Sequence, residues 1–150
     1  MAIDIGSAAI DRGFATGAGV TRVSKNNPAN ATGTIDTIEI WMNTNGTGVE
    51  VATFFVVSGD NLSTRDSEVL GSVTAGSKQT FSGLNMDVQT GDYIGWYLAT
   101  GNIEFALSGG EGDWNKSGDY IPSVNVAFSP STSFVHSLYG TGTETPSGTT

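Results

Sequence analysis

The chain contains no cysteine, so disulfides, zinc–thiolate centres and thiol nucleophiles are excluded. Positive charge is almost as scarce. Arg12, Arg22, Lys25, Arg65, Lys78 and Lys116 are the only lysines and arginines, and the formal net charge is −9. Neutralising a phosphate backbone needs clustered Lys and Arg, which argues against nucleic acid as a partner. No stretch approaches the apolar length of a bilayer span, so no membrane partner is expected. Residues 1–7 carry neither a basic n-region nor an apolar h-region. A virion or extracellular location would therefore be reached without a signal peptide in this chain, for example by lysis.

Helical periodicity is missing as well. Apolar residues at three-and-four spacing are not sustained over a helix-length window, and Gly or Asn interrupts nearly every run. What remains is a chain of 150 residues, enough for one sizeable core and one domain. Its 21 glycines are scattered between apolar runs without a collagen period, as turns between short strands require.

Period two dominates. Over 34–42, Ile38, Ile40 and Met42 fall on one face and Thr37, Glu39 and Trp41 on the other. Over 49–57, both faces are apolar through the middle, which predicts a central strand covered on both sides. Asn45-Gly46 lies between these runs and predicts a hairpin that pairs them antiparallel. Further strands are expected over 67–73, 78–84, 93–99, 102–107, 123–128 and 133–139, with a weaker one over 17–24. Strands at this spacing predict an all-β, two-sheet antiparallel β-sandwich with a jelly-roll path. The domain is expected to cover 1–139. Residues 140–150 lack apolar side chains and read as a flexible C-terminal tail, held by a neighbouring subunit if ordered at all.

Candidate chemistry is sparse. The sole histidine, His136, has only the adjacent Ser137 beside it, on the opposite strand face, and there is no G-x-S-x-G elbow, so a structural histidine is expected. Glu104 with Glu111 or Asp113 would be the acid and base of a glycosidase, but acids in Gly-rich loops more often form turns. Calcium is a weak cofactor candidate, drawing on Asp60, Asp66 and Glu68 or on Glu111, Asp113 and Asp119; neither set has EF-hand spacing. No catalytic residue, cofactor site or metal site is assigned, and the chain is expected not to be an enzyme.

The most unusual stretch is Gly109-Gly110-Glu111-Gly112-Asp113-Trp114-Asn115-Lys116-Ser117-Gly118-Asp119-Tyr120. Read as a glycine-rich loop, it offers Trp114 and Tyr120 for stacking on a sugar ring and Asp113 and Asn115 for its hydroxyls. The competing expectation is that Trp114 covers a sheet edge or packs between subunits. Trp41 is a further contact candidate, and Trp96, on the face of Ile94 and Leu98, is expected in the core. Sequons stand at Asn30, Asn45, Asn61 and Asn115.

The segment Val88-Gln89-Thr90-Gly91-Asp92-Tyr93-Ile94-Gly95 resembles the Gly-Asp entry into a late strand of jelly-roll and sandwich modules. Together with the absent leader and neutral Ser/Thr/Asn surface, the chain resembles small β-sandwich structural proteins of bacteriophages, of decoration or fibre type. The resemblance implies a virion structural protein (capsid decoration, fibre or spike subunit) whose partners are its own subunits and other structural proteins. The alternative expectation is a carbohydrate-binding module with a glycan as partner.

Overall fold

The structure, a computed structural model, describes residues 2–145. Among them run twelve strands: β1 (Ala2–Gly6), β2 (Phe14–Thr16), β3 (Val20–Ser24), β4 (Gly33–Ser58), β5 (Asn61–Val73), β6 (Lys78–Phe81), β7 (Met86–Val88), β8 (Tyr93–Tyr97), β9 (Thr100–Ser117), β10 (Val126–Ala127), β11 (Ser129–His136) and β12 (Leu138–Glu144). The chain is all-β, and every pairing between these strands is antiparallel. No helix among the described residues is long and apolar enough to cross a membrane.

The strands fall into two sets of ladders that share β4. Sheet A contains β1, β12, the first part of β4, β6 and β7. Sheet B contains β10, β5, the second part of β4, β8, β3, β9, β2 and β11. Ile3, Ile5, Ile35, Ile38, Ile40, Met86 and Leu138 from sheet A share one core with Val49, Val51, Ile94, Trp96 and Ile103 from sheet B. This layering is compatible with a sandwich, and the strand order does not single out a jelly-roll path.

Alternation explains the inward faces. Ile38, Ile40 and Met42 are fully buried while Thr37, Glu39 and Trp41 are half-buried on the other side. Each such aliphatic side chain contributes roughly 1.5–3 kcal/mol on burial. The doubly covered strand is also present: Val49 and Val51 enter the main core, whereas Ala52 and Phe54 enter a second cluster on the opposite face of sheet B. The cover ends before Val56 and Val57, which are exposed.

The expected Asn45-Gly46 hairpin does not form. β4 runs through these residues, and its two parts belong to different sheets rather than pairing with each other. Register shifts between Met42 and Thr44, Thr44 and Thr47, and Gly46 and Val49 spread a change of direction over 43–49. Gly48, with φ 57°, takes the left-handed conformation that this corner requires. The reversal comes later, at Gly59-Asp60, where Ser58 pairs with Asn61.

Nor is 140–150 a tail from its first residue. Residues 138–144 form β12, between β1 and β4, so the domain continues past 139 and holds this segment itself. Residues 146–150 lie outside the described residues. The part of β12 without apolar side chains, 140–144, fits here because its neighbours fill the space. A Cβ on Gly140 would stand 2.9 Å from Ile5 and 3.2 Å from Ile38, and one on Gly142 would run into the Thr34 carbonyl.

Candidate functional site

The 109–120 segment is not a loop through most of its length. β9 continues to Ser117, pairing with β11 on one side and β3 on the other. Trp114 is therefore 7% exposed and belongs to the second core, with Val23, Phe54, Leu62, Ile121 and Phe128. Tyr93 meets its ring edge-on at 4.9 Å, Lys25 Nζ lies 4.9 Å from the ring centre, and its indole N–H donates to Asp60 Oδ1 at 3.0 Å. Trp114 is thus a packed side chain of an interior strand, neither displayed on a loop nor covering a sheet edge.

The other three members of the proposed sugar set part company with it. Asp113 is fully buried, one residue along the strand and so on the opposite face. Asn115 is half-buried and donates to Asp113 Oδ1 at 2.9 Å. Tyr120 packs against Phe128 and under Lys116. Trp41 stays half-buried on the outer face of sheet A, and Trp96 is in the main core as expected.

Asp113 instead organises a buried polar node. Its Oδ2 lies 2.7 Å from His136 Nε2 and accepts from Arg22 Nη1 at 3.1 Å, while Oδ1 accepts from Ser131 Oγ at 2.6 Å and from Asn115. Burial on its own pushes the Asp113 carboxyl up, but the bonds from His136, Ser131 and Asn115 outweigh it and hold the group below its ordinary range. His136 is fully buried, stacked on Phe105 at 5.5 Å and edge-on to Trp96 at 4.7 Å. Burial lowers its pKa, and Asp113 counteracts this only in part. The neutral imidazole donates Nε2–H to Asp113. Ser131 donates to the carboxylate, not to the imidazole, so the three residues do not form a nucleophile relay.

Glu104 belongs to a separate network. Its Oε1 accepts the Arg12 amide at 2.6 Å and its Oε2 accepts Asn43 Nδ2 at 2.8 Å, while Arg12 Nε donates to Ser137 Oγ at 2.8 Å. The postulated pairing of Glu104 with Asp113 therefore dissolves into two structural clusters, while Glu111 is exposed, its amide donating to Asn26 Oδ1 at 2.8 Å.

The loop acids considered for calcium have structural partners too. Asp60 holds Trp114, Asp66 accepts the amides of Ser67 and Asp87, Glu68 accepts that of Asn85, and Asp119 accepts that of Ile121. Among the described residues no three acidic or histidine side chains converge on a possible ion position. A cleft of about 300 Å³ is lined by Thr32, Arg65, Asp87 and Gln89 among others. Its guanidinium is committed to Asp92 and lies over Phe55 at 4.6 Å.

One surface differs from these polar clusters. Phe14 of β2 pairs with Phe105 of β9, ring centres 6.0 Å apart, and Phe105 meets Phe134 of β11 at 5.2 Å. Phe105 is covered, but Phe14 is 51% exposed and Leu107, two residues further along β9, is 48% exposed. Sequence reasoning missed this face. The alternation Ile103, Phe105, Leu107 was the available signal, continuing a core stripe to where its cover ends. No family model, curated protein or solved structure matches the chain.

Proposed function

We propose that the chain is a non-enzymatic structural subunit of a larger assembly, a virion decoration, fibre or spike component, that works through protein–protein contacts. The supporting observation is the aromatic row Phe134–Phe105–Phe14, in which the buried Phe105 lies between a half-buried Phe134 and a Phe14 that, like Leu107, is half in water. Apolar side chains flanking a covered aromatic are the composition of a contact surface, where a partner completes the burial. A glycan-binding role centred on Trp114 has less support, because that ring already has an edge-on tyrosine, a lysine and a hydrogen-bonded indole.

Sedimentation over a concentration series tests the proposal. Wild-type protein is expected to associate reversibly, and Phe14→Ser with Leu107→Ser to abolish association while leaving the far-ultraviolet spectrum unchanged. Wild-type protein that remains monomeric at millimolar concentration, indistinguishable from the double variant, would count against it.

A further inference from the structure

β1 is an edge strand of sheet A, next to β12. Ile3 and Ile5 pair with Gly142 and Gly140 of β12, and the Ser7 amide continues on that side by donating to the Leu138 carbonyl at 2.9 Å. The backbone groups of Ala2, Asp4 and Gly6 consequently point the other way, to the margin of the sheet. Such a row of unpaired donors and acceptors is a template for another strand.

That margin is occupied by two asparagines. The Asp4 amide donates to Asn30 Oδ1 at 3.0 Å, and Asn30 Nδ2 donates to the Ala2 carbonyl at 3.3 Å. The Gly6 amide donates to the Asn27 carbonyl at 3.0 Å, and Asn27 Nδ2 donates to the Gly6 carbonyl at 3.1 Å. Acceptors and donors are presented as a neighbouring strand would present them, by a segment that is not itself a strand.

The segment is anchored from behind. Ala29 and Ala31 are buried in the main core; the Ala29 amide donates to the Asp92 carbonyl and the Gly91 amide to the Ala29 carbonyl, both at 2.8 Å. Asp92 is in turn fixed by Arg65 and by the Gln89 amide. The Gly-Asp motif noted in the sequence thus supports the loop as well as the entry to β8.

We infer that residues 27–30 are an edge plug, an autoinhibitory contact that denies β1 to a strand from a second copy of this chain. The sequence of β1 points to self-pairing as the event prevented. Two copies paired antiparallel about the middle residue would bring two Asp4 carboxylates into opposition, so the plug and the charge oppose the same contact.

Hydrogen exchange and sedimentation test this in a Phe14→Ser/Leu107→Ser background, which removes the face proposed above as a separate route to association. Asn30→Ala is expected to speed exchange of the Asp4 amide roughly tenfold, the effect of losing one hydrogen bond. Asn30→Asp retains the acceptor and should leave that amide slow. Adding Asn27→Ala and Asp4→Asn to Asn30→Ala is expected to give concentration-dependent dimers. If the combined variant does not fold, the contrast between Asn30→Ala and Asn30→Asp still decides. Equal Asp4 exchange in both single variants, or a folded combined variant that stays monomeric, overturns the inference.

Discussion

Oδ2 of Asp113 and Nε2 of His136 stand 2.7 Å apart, and neither side chain is exposed to solvent. Such a pair is costly to break from one side, because the remaining partner stays buried without its complement. Asp113→Asn, which turns the charge-assisted bonds into neutral ones and removes an acceptor, should destabilise the protein by about 1.5–3 kcal/mol, measured by urea unfolding at neutral pH. A loss no larger than that of an exposed Asp→Asn control would show that the node is not a structural centre.

The same pair sets a dependence on acid. Burial holds the folded His136 below its ordinary 6.5, so the unfolded chain binds the extra proton and stability falls as pH drops below about 6.5. Asp113 is held below 3.8 in the folded state, so its contribution is present above that value and is lost as pH falls further. Unfolding midpoints should decline in these two successive windows. His136→Gln is expected to remove the upper one, and a wild-type midpoint that stays flat from pH 7 to 5 would contradict this.

Glu50 has the opposite sign. Burial, together with the neighbouring Asp119, raises its pKa from 4.5 to about 7. The folded state binds the additional proton, so this contribution is complete below 4.5 and is lost as pH rises through about 7. Glu50→Gln should therefore raise the melting temperature relative to wild type at pH 8 and narrow that advantage by pH 5. An advantage of equal size at both pH values would exclude carboxylate repulsion as its cause.

Trp114 offers a test of packing against recognition. Trp114→Ala should lower stability by about 3–5 kcal/mol, as expected for a buried aromatic. Calorimetric titration with mono- and oligosaccharides is expected to give no heat attributable to this ring. Millimolar or tighter sugar binding that disappears in a folded Trp114→Ala variant would restore the carbohydrate reading.

Truncation after Tyr139 addresses the domain boundary. A dispensable tail would leave the melting curve unchanged. Because residues 140–144 lie between β1 and β4, their removal should instead abolish or severely weaken cooperative unfolding.

The gap between sequence and structure is instructive at particular residues. Ile38, Ile40 and Met42, and likewise Ile94, Trp96 and Leu98, were legible because alternation is a local property of an extended chain. Trp114 was not, because its cover comes from Ile121 and Phe128, beyond its own strand, and from Val23, Phe54 and Leu62 on other strands. Gly140 and Gly142 looked like linker residues, since what fills their space comes from distant strands: the side chains of Ile5 and Ile38 at Gly140, and the backbone of Thr34 and Ile35 at Gly142.

By itself, the order of side chains settled that this protein is extended, antiparallel and built around aliphatic faces, because pattern and propensity act between near neighbours. Which segment closes which edge was settled only by tertiary packing. Asn30 reaching Ala2 and Asp4, β12 entering between β1 and β4, and Asp113 meeting His136 all join residues distant along the chain, whose meeting depends on the whole core assembling.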